Sequence, residues 1–169
     1  MNETANRETD NNFLGFLRLL EDGLLVGLFA LLVGVTVIQI LLRNLLGGGI
    51  VWGEILVRIL VLWIGLVGAM VASRKGKHIS IDLVNRYLPA QAKEIVAALV
   101  ELFTALVCAL AAFYSVRFVL AEVSEGGLAF AQVPVWVCES VIPVAFTVIA
   151  LRHFWSFLIN LGNLMKPAP

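Results

Sequence analysis

Between Gly23 and Leu42 the chain runs for twenty residues without a charged side chain. At about 1.5 Å of rise per helical residue, such a run matches the roughly 30 Å hydrocarbon layer of a bilayer. Lipid offers no water to a backbone N–H or C=O, so a spanning segment must bond its own polar groups, as a helix does. Three further apolar runs follow, at about 52–73, 90–121 and 134–158. Of the 169 residues 60% are hydrophobic and only 14% charged, whereas about a quarter of a soluble domain is charged. The expected fold is all-α and integral to the membrane: four transmembrane helices with short amphipathic interfacial helices, in a single membrane domain over residues 1–169.

The spans have expected bounds of 23–43, 52–73, 90–121 and 134–158. Residues Met1–Asn12 are polar and lack the basic start of a signal peptide, so they read as a retained, poorly ordered tail. Phe13, Phe16, Leu17 and Leu20 share one helical face, so the end of segment 1–22 reads as an interfacial helix. Small residues at Gly23, Gly27, Ala30 and Gly34 suit close helix approach, and Gln39 is the strongly polar group of that span. Gly47-Gly48-Gly49 reads as a flexible connector.

In the second span, Glu54, Arg58, Gly65, Gly68, Ala69 and Ala72 fall on one stripe. Trp52, Leu56, Leu60, Trp63, Val67 and Met70 fall on the opposite side. The small polar stripe is expected to pack within the chain, and the bulky stripe to face lipid or a partner protein. Residues 74–89 form a connector with an interfacial helix. Arg74, Lys75 and Lys77 lie at its start, near lipid head groups that can be anionic. In the third span Ala97, Glu101, Thr104, Ala105, Cys108, Ala112 and Ser115 share a face, and Arg117 points roughly the other way. The fourth span carries Glu139, Pro143 and Arg152, with a kink expected from Pro143. Residues 159–169 form the tail.

Basic residues gather in the middle connector and the first turn of the third span: Arg74, Lys75, Lys77, Arg86 and Lys93. The positive-inside rule places that connector, and with it both termini, in the cytoplasm. Ionisable groups inside a span are costly and need partners. Glu54, Arg58, Arg117 and Glu139 then fall toward the outer side, and Glu101 and Arg152 in the inner half. Glu54 can pair with Arg58 one turn away, Arg58 can instead reach Glu139, and Glu101 can meet Arg152. Acids and bases in matching layers read as structural intramembrane charges that fix helix arrangement. Proton or cation relay through Glu101 or Glu139 is the competing reading.

Cys108 and Cys138 belong to no CxxC pair and read as small buried apolar groups. His78 has no second ligand at metal spacing, and no phosphate loop or acid–base set is present. No cofactor, metal site or enzymatic activity is expected, and a net charge of zero gives no footprint for nucleic acid.

The second span and its exit carry a pattern. It is Trp52-x-Glu54-x3-Arg58, Trp63, Gly68-Ala69, Arg74-x-Gly76-x-His78-Ile79-x-Ile81-Asp82, then Leu88-Pro89. This resembles the small membrane subunit, the Q or DctQ-like subunit, of tripartite ATP-independent periplasmic (TRAP) transporters. The family commonly has two consecutive acids where this chain has Gly53 before a single Glu54. The resemblance implies a bacterial inner-membrane, multi-pass protein. It also implies a large membrane partner (the M or DctM-like subunit) that moves as an elevator and holds the substrate and sodium sites. A periplasmic substrate-binding protein would deliver an organic acid such as sialic acid or a dicarboxylate. The small subunit would then be a scaffold with no transport site of its own. The alternative class is a self-sufficient four-helix exporter acting as a dimer. Such exporters usually depend on an acid in the middle of the first span, where this chain offers only Gln39.

Overall fold

The computed structural model describes residues 2–75, 90–130 and 132–164. Four stretches are long and apolar enough to cross a membrane: Arg18–Leu45, Gly53–Arg74, Ile95–Glu125 and Val135–Gly162. The architecture is that of an all-α integral membrane protein, with a minute two-stranded hairpin as the one departure among the described residues. The chain forms two compact units, Met1–Val71 and Ala72–Pro169.

The first unit is built from α1 (Asn2–Leu46) and most of α2 (Gly53–Lys75). Its 45 residues make α1 about 68 Å long, more than twice the hydrocarbon thickness. The helix continues through residues 2–12, where an irregular tail was expected, and through the interfacial segment 13–22 without a break. No proline interrupts this region and its first glycine is Gly15, so nothing in the backbone chemistry stops the helix. No residue in the most apolar stretch of α1 is buried. Gly47 ends the helix: it sits just beyond Leu46 with φ +67, the left-handed conformation that glycine takes without steric cost. The N–H of Gly53 then bonds the carbonyl of Ile50, and that of Leu56 the carbonyl of Trp52, opening α2.

On α2 the structure reverses the expected faces. Leu60, Val67 and Val71 are buried, while Leu56, Trp63 and Met70 are half-buried, leaving Trp52 as the exposed member of the expected bulky stripe. Glu54, Arg58, Gly65, Ala69 and Ala72 are exposed instead. The reason lies in the solvent. Lipid exerts no hydrophobic force that sorts apolar side chains by size, so packing decides, and long side chains fill space that glycine and alanine cannot.

The second unit is an antiparallel pair, α3 (Ala90–Glu125) against α5 (Val141–Leu164), joined through β1 (Leu128–Phe130), β2 (Val133–Pro134) and the short α4 (Val135–Glu139). On α3 the buried residues Ala98, Ala105, Ala112 and Ser115 recur on one face. On α5 Val141, Ala145 and Ile149 do the same. Short side chains on these facing stripes let the helices approach closely. Ser115 Oγ is satisfied locally by the Ala112 carbonyl at 2.9 Å. Gly126, at φ +68, closes α3 and donates its N–H to Glu122. The hairpin pairs Leu128 with Pro134 and Phe130 with Val133.

The fourth span is divided. A turn at Ser140 separates α4 from α5, three residues before the site where Pro143 was expected to act. Proline lacks the N–H that would bond the carbonyl four residues back, and its ring crowds that same carbonyl. For Pro143 that carbonyl belongs to Glu139. Around the break Ser140 donates its N–H to Trp136 at 3.0 Å and its Oγ to Val137 at 2.7 Å.

Candidate functional site

Three polar clusters stand out, each made by a pair of neighbouring elements. The best defined joins α3 to α5. His153 Nδ1 lies 2.6 Å from Glu101 Oε2, and the two side chains are 22% and 19% exposed. A contact this short between an imidazole nitrogen and a carboxylate is a charge-assisted hydrogen bond when the ring is protonated. Next in sequence, Arg152 Nη1 donates to Ser73 Oγ, in the last turns of α2, at 3.4 Å. Consecutive residues on a helix point about 100° apart. One helical step on α5 therefore reaches two neighbours, α3 through His153 and the end of α2 through Arg152. Sequence reading set Arg152 opposite Glu101 and used His153 only as a marker of the helix exit.

The second cluster sits at the broken fourth span. Glu139 Oε2 is buried and has no hydrogen-bond partner. The residue's own backbone carbonyl is the one that Pro143, having no N–H, cannot bond. The third cluster lies in the first unit. Gln39 Nε2 is likewise buried and without a partner, and the carboxamide lies directly over Gly53. A Cβ added at Gly53 would stand 2.7 Å from Gln39 Cδ and collide outright with Nε2.

The other intramembrane charges point outward. Glu54 and Arg58 are exposed on α2, and Arg117 is exposed on α3. Although Glu54 and Arg58 lie one turn apart, no ion pair joins them to each other or to any other described residue. Of the connector motif, Arg74 is half-buried near the end of α2. Lys77, His78, Asp82 and the expected interfacial helix lie outside the described residues, as does the side chain of Lys75. No group of three or more potential metal-ligating side chains occurs among the described residues. A shallow groove lined by Ile38, Leu41, Leu42 and Leu45 on α1 is purely aliphatic.

These features define a small multi-pass helical membrane protein whose best-defined polar contacts tie helix to helix. Residues 32–161 match the family described as tripartite ATP-independent periplasmic transporters, DctQ component. The chain is 26% identical over 129 residues to the ectoine TRAP transporter small permease protein TeaB of Halomonas elongata, a match covering 76% of this chain and 67% of TeaB. It is 30% identical over 87 residues to the sialic acid TRAP transporter permease protein SiaT of Haemophilus influenzae. That match covers 52% of this chain but only 14% of SiaT. The chain belongs to the DctQ family and is a small TRAP transporter subunit, a multi-pass protein of the inner membrane.

Proposed function

We propose that this chain is the static scaffold subunit of a sodium-gradient-driven uptake system for a carboxylate-bearing solute. A large membrane subunit carries the moving transport site, and a periplasmic binding protein delivers the solute. The observation that carries the reading is the use made of the polar residues. Glu101–His153 ties α3 to α5 and Arg152 bonds Ser73 at the end of α2, a structural use of polar groups that suits a part that must hold still while another moves. The aliphatic groove on α1 presents no polar group to orient a solute. SiaT adds support, because its matching stretch is a small part of a much longer permease protein. The names of SiaT and TeaB point to sialic acid and ectoine, both of which bear a carboxylate, for those proteins. Basic residues around the middle connector favour cytoplasmic termini, and Arg74 with Lys75 suits contact with anionic lipid.

Reconstitution tests the proposal. In proteoliposomes, labelled solute should accumulate only when this chain, the large subunit and the binding protein are all present and a sodium gradient points inward. This chain alone should carry no flux. Gradient-dependent flux through the lone chain would overturn the scaffold reading and favour a self-sufficient exporter.

A further inference from the structure

On α5 two consecutive residues, Arg152 and His153, bear side chains that can carry positive charge, and they differ in one respect. Arginine keeps its charge at every pH a protein meets, whereas histidine's charge ordinarily changes between about pH 5 and about pH 8. In the structure Glu101 Oε2 takes the His153 ring, at 2.6 Å, and Arg152 Nη1 is spent on Ser73 Oγ at 3.4 Å. The first contact is short, and the second lies beyond the roughly 2.7–3.2 Å of a well-formed N–H···O bond. Ser73 is followed by Arg74 and Lys75 at the end of α2, where the charged connector begins. The cluster therefore lies level with the connector's side of the membrane, and side-chain exposures of 22% and 19% leave the pair a path to water there. The other charges nearby are Arg74, beside Ser73 on α2, and Lys93 and Glu94, about two turns before Glu101 on α3. All three side-chain types ordinarily keep their charge across histidine's range. Cys108 stands about two turns after Glu101 and is removed in the test below.

We propose that Glu101 exchanges partners when His153 gains or loses a proton. With the ring protonated, imidazolium and carboxylate hold α5 to α3, and Arg152 is left to bond Ser73. A neutral ring has one N–H and no charge, so its hold on the carboxylate weakens. The carboxylate then goes to the permanent cation one residue away. Arginine's long stem and planar fork suit that move, and a two-pronged bond to a carboxylate outweighs one long bond to a hydroxyl. The proton passes to water on the connector's side, Arg152 leaves Ser73, and the tie at the end of α2 opens. α3 and α5 stay joined in both states, so the proton governs whether α5 also holds α2. Two discrete arrangements of one cluster make a bistable element. This device goes beyond the scaffold reading and needs no partner subunit to operate.

The test uses the full chain in lipid nanodiscs. Cys108 and Cys138 are changed to Ala, and cysteines carrying spin labels are placed at Ala72 and Trp155. Both positions are exposed, one beside Ser73 and the other just past His153. The distance between the labels then reports the tie between α2 and α5. It should be short at about pH 5, and the short distance should be lost by about pH 9, a range that brackets histidine's ordinary titration. His153→Lys, a permanent cation, should keep the short distance throughout. His153→Gln, which carries no charge, should lack it throughout. In a separate sample, His78→Gln leaves His153 as the one histidine of the chain's two. Magnetic resonance of its ring nitrogens should show the change of protonation over the same range. A label distance that ignores pH would overturn the exchange, and so would a pH response that persists in both variants. A ring that keeps one protonation state throughout would do the same. The distance with His153 in place and the ring signals decide the matter even where a variant fails to fold.

Discussion

A methyl group at position 53 meets the flexible end of the Gln39 side chain, which must swing aside to make room. The two residues form an interlock in which the carboxamide takes the space a side chain at 53 would need. This gives a physical account of why a chain resembling the DctQ pattern has glycine before Glu54. Gly53→Ala should therefore lower the thermal unfolding midpoint of the detergent-solubilised protein only slightly, because the end of the Gln39 side chain can rotate away. Gln39→Ala in the same chain should recover most of that loss, because it clears the collision and also removes a buried, unpartnered Nε2. A double-mutant cycle in the two midpoints measures the coupling. Sequence alone marked Gln39 as polar and Gly53 as a missing acid. It did not join them, because their contact depends on how two helices are rotated against each other.

At the scale of helices, the interruption at Ser140 follows from Pro143 through the backbone four residues earlier. Pro143→Ala supplies the missing N–H and removes the ring, so α4 and α5 should merge into one helix. Amide hydrogen exchange across residues 136–145 should slow by about tenfold or more, the protection expected when one more backbone bond closes a helical turn. Exchange unchanged in that stretch would show that Ser140, through its bond to Val137, holds the break by itself. The existence of the spans was legible in the sequence because twenty uncharged residues admit few alternatives in lipid. The orientation of α2 was not. Leu60 and Val67 turn inward and Gly65 and Ala69 outward, and no hydropathy pattern separates these in a segment apolar all round. The break in the fourth span was half legible: Pro143 announced it, while its position required the bonding rule rather than the residue. The layering of charges set Arg152 opposite Glu101, whereas the nitrogen 2.6 Å from Glu101 is that of His153.

For the molecule as a whole, orientation is the property that the positive charges address. With the connector rich in Arg74, Lys75 and Lys77 on the cytoplasmic side, a fluorescent protein fused after residue 164 should fold and emit. Alkaline phosphatase fused there should stay inactive, and the same enzyme inserted at Gly126–Gly127 should be active, since its folding requires the periplasm. The opposite pattern of reporter activity would invert the topology and move Glu101 and His153 to the outer half.

Arg152 and His153 are consecutive, and this has a mechanical consequence. Two grips set on adjacent rungs keep a fixed angle of about 100° between them, so neither can be let go by turning α5 without releasing the other. Inserting a single residue anywhere between Ser140 and Leu151 would swing both hands away through about 100° and undo two bonds at one stroke. A helix secured in this manner resists torsion better than it resists tilting, as befits a stave that a moving neighbour pushes against from the side.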